Sequence, residues 1–237
     1  MIRQDAIGDF ILWLDTAKEY RKYFPPENYK IILVGNELWF DLAKELPFWD
    51  EVLPVKVEAF KTLSIYRWKI LRKVRSFGAD IAIQPTFSRE FYHGDSLVRA
   101  SNASKKISSV GNMSNRDQFK TILADRWHTD LIPSSPKPLN EIERNAEFFS
   151  GFVNKIYLPS YPELEVSDDN NIRELEQKSF YVLSLGANKK YREWPYKYYA
   201  KIAQRIHNTT AWFCLLYTSP SPRDQRGSGV AGCGCKK

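Results

Sequence analysis

Residues 180–206 read FYVLSLGANKKYREWPYKYYAKIAQRI. Phe180, Tyr181, Val182 and Leu183 are β-formers and predict a strand. Ser184-Leu185-Gly186-Ala187-Asn188 continues as a small-residue turn, and a basic stretch from Lys189 to Arg192 follows. Trp194-Pro195 then opens a helix with Tyr199, Ile202, Ala203 and Ile206 along one side, and a proline in the first turn is a helix start signal. Strand, tight loop and helix in this order bring free backbone N–H groups and cationic side chains beside a bound phosphate. This stretch makes the chain an α/β protein.

Towards the N-terminus the same alternation repeats. Residues 7–23 carry Phe10, Leu14, Ala17 and Tyr20 at helical spacing, and Pro25-Pro26 ends that helix. Strands are predicted over 31–34, 51–55, 80–84 and 106–110. Helices are predicted over 37–46, 59–76, 95–103, 119–127 and 139–152. Residues 111–130 are otherwise less regular. Such alternation predicts a parallel sheet with helices on both faces. Pro159, Pro162 and the polar run Asp168-Asp169-Asn170-Asn171 mark a linker. The expected organisation is a Rossmann-like domain over 1–156, a linker over 157–178, the start of a second Rossmann-like domain over 179–216, and a tail over 217–237.

The tail is set aside. Leu215-Leu216-Tyr217-Thr218-Ser219-Pro220-Ser221-Pro222-Arg223-Asp224 resembles translated sequencing-adapter read-through, and no apolar period follows it. A natural Ser/Pro/Gly-rich end is the alternative. The tail also distorts the charge balance. The chain carries +7, of which Arg223, Arg226, Lys236 and Lys237 against Asp224 account for +3, leaving +4. That remainder is mild and does not indicate nucleic acid.

Hydrophobic residues make up 43% of the chain, enough for a core. No apolar run is long enough to span a bilayer. Asp5, Asp9 and Asp15 interrupt any signal-peptide core, which points to the cytoplasm. Of three cysteines, Cys233 and Cys235 lie in the tail, so neither a disulfide framework nor a metal site is expected. Residues 61–75 interleave Lys61, Arg67, Lys69, Arg72, Lys73 and Arg75 with Leu63, Ile65, Trp68 and Ile70. A cationic amphipathic helix of this kind suits an anionic membrane surface; the alternative is a merely solvated surface helix.

A second motif stands near the start: Ile2-Arg3-Gln4-Asp5-Ala6-Ile7-Gly8-Asp9-Phe10-Ile11-Leu12. Together with Leu185-Gly186-Ala187-Asn188 and Arg192-Glu193-Trp194-Pro195, it resembles the signatures of the glycosyltransferase family 9 heptosyltransferases. Arg192 stands where that family has lysine, and Met1-Ile2 is shorter than the family's first strand. The reading therefore expects a chain that begins inside that strand and is truncated in its second domain. The resemblance covers residues 1–216. It implies a GT-B fold: an N-terminal Rossmann-like acceptor domain and an incomplete nucleotide-sugar domain. The implied reaction is inverting transfer of heptose from ADP-heptose to a lipid-linked lipopolysaccharide core acceptor at the inner membrane, with this fragment inactive or nearly so.

The resemblance gives Asp9 the role of base. Inverting transfer needs a group that removes the acceptor hydroxyl proton; a helix N-cap is the plain alternative for an aspartate there. Gly8 would permit close backbone approach or a positive φ. Arg192, with Lys189 or Lys190, would neutralise the departing diphosphate. Ser184, Gly186, Ala187 and Asn188 would wall the loop. No divalent metal and no cofactor is implied. Arg3, Gln4, Ser88, Arg89 and His93 are positional candidates on the acceptor side, and Arg3 is as readily a surface ion pair. His128 and His207 read as structural, and Trp194 as core between domains. The alternatives that remain are a non-catalytic phosphate- or nucleotide-binding module, and a basic protein recruited through residues 61–75.

Overall fold

A computed structural model describes residues 1–60, 62–164, 179–185, 191, 193–210 and 212–218. The tail beyond residue 218 and most of the predicted linker lie outside these. The chain divides into two units, Met1–Leu164 and Glu165–Lys237.

The first unit contains β1 (Ile2–Arg3), α1 (Ile7–Tyr23), β2 (Ile32–Asn36), α2 (Phe40–Glu45), β3 (Glu51–Val55), α3 (Ile65–Ser76), β4 (Ile81–Gln84), α4 (Ser96–Ser101), β5 (Lys105–Ser109), α5 (Gln118–Asp125), β6 (Asp130–Ile132) and α6 (Glu141–Val153). All strand pairings are parallel. One ladder is β1-β2-β3 and the other β4-β5-β6. β1 also lies against β4, so the ladders abut in the order β3-β2-β1-β4-β5-β6. That is the doubly wound arrangement, whose connections diverge to opposite faces at β1 and β4.

Alternation along the strands builds two cores. Leu33 and Ile83 point to the layer of α1, α2 and α6, where Phe10, Trp13, Leu14 and Tyr20 are buried. Val34 and Ala82 point to the opposite layer, with Ile70 and Val74 of α3 and Leu97 and Val98 of α4. The apolar stripe of α1 is thus the one its spacing predicts, widened by Trp13. Trp13 stacks on Trp49 with ring centroids 5.8 Å apart. The start of α6 is fixed by a reciprocal capping box: Asn140 accepts from the Glu143 N–H, and Glu143 accepts from the Asn140 N–H.

Two elements differ from expectation. α3 starts at Ile65, six residues later than predicted, because Ser64 caps it, its Oγ accepting from the Arg67 N–H at 3.1 Å. Arg67 also leaves the cationic face. It is buried, lies 4.5 Å over the Phe60 ring and donates to the Tyr92 carbonyl. The strand β6 was not predicted at all. Its three residues have no apolar alternation, and only pairing of Asp130–Ile132 with Ile107–Ser109 makes them a strand. Beyond α6 the chain stays tied to the first unit. Buried Asp15 accepts from Tyr157 Oη at 2.8 Å and from the Ser160 N–H at 2.9 Å.

The second unit contains β7 (Phe180–Leu185), α7 (Tyr196–Thr209) and β8 (Phe213–Thr218). β7 and β8 pair in parallel from Phe180↔Phe213 to Leu185↔Thr218, so β8 extends two residues past the predicted end at 216. Trp194 stacks on Tyr198 at 5.4 Å and remains 44% exposed. Among the described residues no second layer covers these two strands and one helix, and none of them is buried.

Candidate functional site

A polar cavity of about 310 Å³ opens beyond the C-terminal ends of β1 and β4, the switch point at which doubly wound sheets bind ligands. The loop after β1 contributes Gln4, Asp5 and Asp9. The segment after β4 contributes Thr86, Ser88, Glu90 and His93, and the loop after β5 contributes Asn115.

Asp9 lies in the first turn of α1 but does not cap it. The N-cap is Ala6, without a side-chain hydrogen bond. Among the described residues the Asp9 carboxylate takes no hydrogen bond or ion pair. Burial, then the negative charge of Asp5, raises its pKa above the ordinary aspartate value, and Arg3 opposes them. A carboxylate whose charged form is disfavoured is a better proton acceptor than an ordinary one. Gly8 lies in the helix with open space where a side chain would stand and without a positive φ, so of its two anticipated roles only close approach remains.

Arg3 is neither a ligand contact nor a surface ion pair; this corrects the sequence reading. It is fully buried. Its guanidinium donates to Asn145 Oδ1 at 2.8 Å and Glu141 Oε1 at 2.6 Å, and its Nε is 2.9 Å from Asp5 Oδ2 without the alignment of a hydrogen bond. It also lies 5.1 Å from the Trp13 ring centroid. Arg3 therefore fixes the loop between β1 and α1 from behind. Gln4 does face the cavity. Its Nε2 donates to the Val34 carbonyl at 3.0 Å, while its Oε1 has no partner among the described residues.

Arg89 is likewise withdrawn. Its side chain is fully buried, with Nε 2.9 Å from Asp95 Oδ1, one terminal nitrogen 2.8 Å from Asp125 Oδ1, and the other 2.7 Å from the Ser109 carbonyl. Arg116 joins the same network 3.3 Å from Asp95 Oδ2. The network anchors the segment between β4 and α4 so that Ser88, Glu90 and His93 face outward. Gly94 makes that path feasible: a Cβ there would stand 2.0 Å from Gln84 Nε2. His93 Nδ1 is 2.6 Å from Glu90 Oε2, and the hydrogen bond lowers the Glu90 pKa.

His128 is structural, as its sequence context suggested. Its Nδ1 lies 2.9 Å from the Ala124 carbonyl, and its ring is buried beside Asp95. Burial, reinforced by the Arg89 charge and opposed by Asp95, lowers its pKa from 6.5 to about 4. The unfolded chain therefore binds more protons between these values, and stability falls as pH drops from 6.5 towards 4. The loss should reach about 3 kcal/mol. Urea unfolding across this range should show the slope in the wild type, and His128→Leu should flatten it. An unchanged slope in the variant would refute the assignment.

Of the other predicted site residues, Ser184 lies in β7 and is exposed. Gly186, Ala187, Asn188, Lys189, Lys190 and Arg192 lie outside the described residues. Asp5, Thr86, Glu90 and Asn115 were missed as site residues. A signal existed for Glu90, three residues before His93 where helical turns pair side chains. None existed for Asn115, which sits in the irregular stretch after β5.

A family model described as glycosyltransferase family 9 (heptosyltransferase) matches residues 67–236. A family 9 glycosyl transferase from Veillonella parvula DSM 2008 is similar with TM-score 0.68 and 15% identity, over 92% of this chain and 62% of that one. Escherichia coli heptosyltransferase WaaC with ADP-2-deoxy-2-fluoro heptose gives TM-score 0.66 and 14% identity, over 95% of this chain and 71% of that one. Escherichia coli ADP-heptose LPS heptosyltransferase II gives 0.65 and 14%, over 92% and 64%. The chain thus spans less than two thirds of the Veillonella protein. Sequence comparison with curated proteins finds no match. At these identities the structures establish the fold, which is α/β of the GT-B type. With the family model matching well over half of its length, the chain belongs to glycosyltransferase family 9.

Proposed function

We propose that the chain serves an inverting glycosyl transfer from ADP-heptose to a saccharide of a lipopolysaccharide core. The observation that carries the proposal is Asp9: a carboxylate with raised pKa, unpaired among the described residues, in a polar cavity at the switch point of a family 9 chain. In this reading the acceptor oxygen enters the cavity and gives its proton to Asp9 as it attacks the anomeric carbon. The bond from that carbon to the diphosphate breaks on the opposite side. Arg192, with Lys189 or Lys190, offsets the diphosphate charge, and residues 184–188, which begin at the end of β7, supply hydrogen-bond donors. These cationic groups take the part a divalent metal could otherwise play. Titration of ADP-heptose into the chain, with ADP-glucose and ADP as controls, tests the donor. Binding that ignores the heptose would reduce the reading to a nucleotide-binding module.

The acceptor's lipid anchor suits a location at the cytoplasmic face of the inner membrane, and α3 with the turn just before it supports that. Leu63, Ile65 and Trp68 are 92%, 76% and 68% exposed, and Lys69 and Arg72 are exposed beside them. Apolar wedges flanked by cations fit an anionic bilayer surface, where each cation contributes about 1 kcal/mol. Replacing both Lys69 and Arg72 by alanine should weaken partitioning to phosphatidylglycerol vesicles about thirtyfold. Sedimentation with vesicles measures this, and equal partitioning of both proteins would count against the contact.

A further inference from the structure

Asp9 has an arginine beside it that does not pair with it. A terminal guanidinium nitrogen of Arg3 donates to the Asp9 backbone carbonyl at 3.2 Å, yet among the described residues the Asp9 carboxylate forms no ion pair. Arg3 is fully buried, and a buried guanidinium is tolerable only where negative charge meets it. That charge comes from elsewhere. The same terminal nitrogen lies 2.6 Å from Glu141 Oε1, the other donates to Asn145 Oδ1 at 2.8 Å, and Nε stands 2.9 Å from Asp5 Oδ2.

Both carboxylates are held in place by contacts other than Arg3. Asp5 Oδ2 accepts from Thr86 Oγ1 at 3.2 Å, and the Asp5 carbonyl accepts from Trp39 Nε1 at 3.0 Å and from Asn36 Nδ2 at 3.2 Å. Glu141 is the first residue of α6, whose start is fixed by the capping box of Asn140 and Glu143, and Asn145 follows about one turn later on the same face. The other titratable groups near Asp9 are Glu90 and His93, which line the same cavity from the segment after β4 and stand 2.6 Å apart. An arginine paired with a carboxylate favours its ionised form and weakens its hold on a proton, which would disable a base. We infer that Asp5 and Glu141 are positioning residues that divert Arg3 from the Asp9 carboxylate and leave it free to take the acceptor proton; this rests on the reading of Asp9 as the base.

The test is the carboxyl titration of Asp9 in the full chain, followed by carbon-13 NMR and assigned with Asp9→Asn. In the wild type Asp9 should titrate above the ordinary aspartate value of about 3.9, and a midpoint below that value would overturn the inference whatever the variants do. Glu141→Gln and Asp5→Asn keep the size and one oxygen of each side chain but remove its charge, which frees Arg3 to turn to Asp9. In each variant the Asp9 midpoint should fall by about one pH unit or more, and adding Arg3→Gln to Glu141→Gln should abolish the fall. A fall that persists without Arg3 would be direct repulsion between carboxylates and would overturn the diversion. Equal midpoints in the wild type and both single variants would overturn it as well, with the base reading of Asp9 untouched. Unimpaired transfer by Asp9→Asn would instead remove the base reading, and this role with it.

Discussion

Replacing Asp9 by asparagine is expected to lower any glycosyl transfer that the chain retains about 10²- to 10⁴-fold, the range over which a positioned general base acts. Asparagine keeps the size and the first-turn position but cannot take a proton. The helix should not suffer, because Asp9 does not cap α1; Ala6 occupies the cap. The surrounding charges also favour the variant's fold, since removing the Asp9 charge relieves its repulsion with Asp5 and Glu141. Saccharide binding at the cavity and nucleotide-sugar binding should persist. The informative measurement is therefore the transfer rate at saturating substrates beside the two binding constants. A fall in rate with binding preserved assigns Asp9 to the chemical step. A rate within threefold of wild type would exclude it as the base.

The largest expected loss of stability follows Asp95→Asn. Asp95 is fully buried and receives Arg89 at 2.9 Å and Arg116 at 3.3 Å. Burial, then the Arg89 charge, already lowers the Arg116 pKa, and Asp95 is foremost among the groups that oppose them. Without that charge the two buried guanidinium groups keep backbone carbonyls and, among the described residues, one carboxylate, Asp125, which lies 2.8 Å from Arg89 and 3.8 Å from Arg116. Breaking a buried pair from one side costs about 3–5 kcal/mol because the remaining charge is uncompensated. Urea denaturation with an unchanged m-value should show this loss. Saccharide binding should weaken as well, since the network anchors the segment bearing Ser88, Glu90 and His93. A loss below about 1 kcal/mol would show that Asp125 alone suffices to hold the arginines.

Much of the architecture was legible because it depends on local periodicity. The helix Ile7–Tyr23 and the strand Glu51–Val55 follow from spacing and flanking prolines. Alternating elements implied a parallel sheet, and the family signatures implied the fold. Asp9 was legible as a candidate for the same reason: a strand, a glycine and an aspartate at a helix start form a contiguous pattern. Contiguous patterns could not tell which charged side chains face the ligand. Arg3 and Arg89 looked like ligand contacts, yet both are buried in ion pairs with residues as much as 138 positions away. Burying an arginine is tolerable only where carboxylates meet it, and Glu141 and Asp125 come from helices that sequence spacing cannot orient.

The sequence by itself determined the α/β class, the order of elements in the first unit apart from β1 and β6, and the positions of both signatures. These depend on propensity and periodicity over a few residues. Tertiary structure alone decided that β1 lies against β4, because a two-residue strand is recognisable only through its neighbours. It also decided that the cavity between their ends is lined by carboxylates, amides and hydroxyls. That lining is assembled from three separate loops, and its charge is set by which arginines the fold has already consumed.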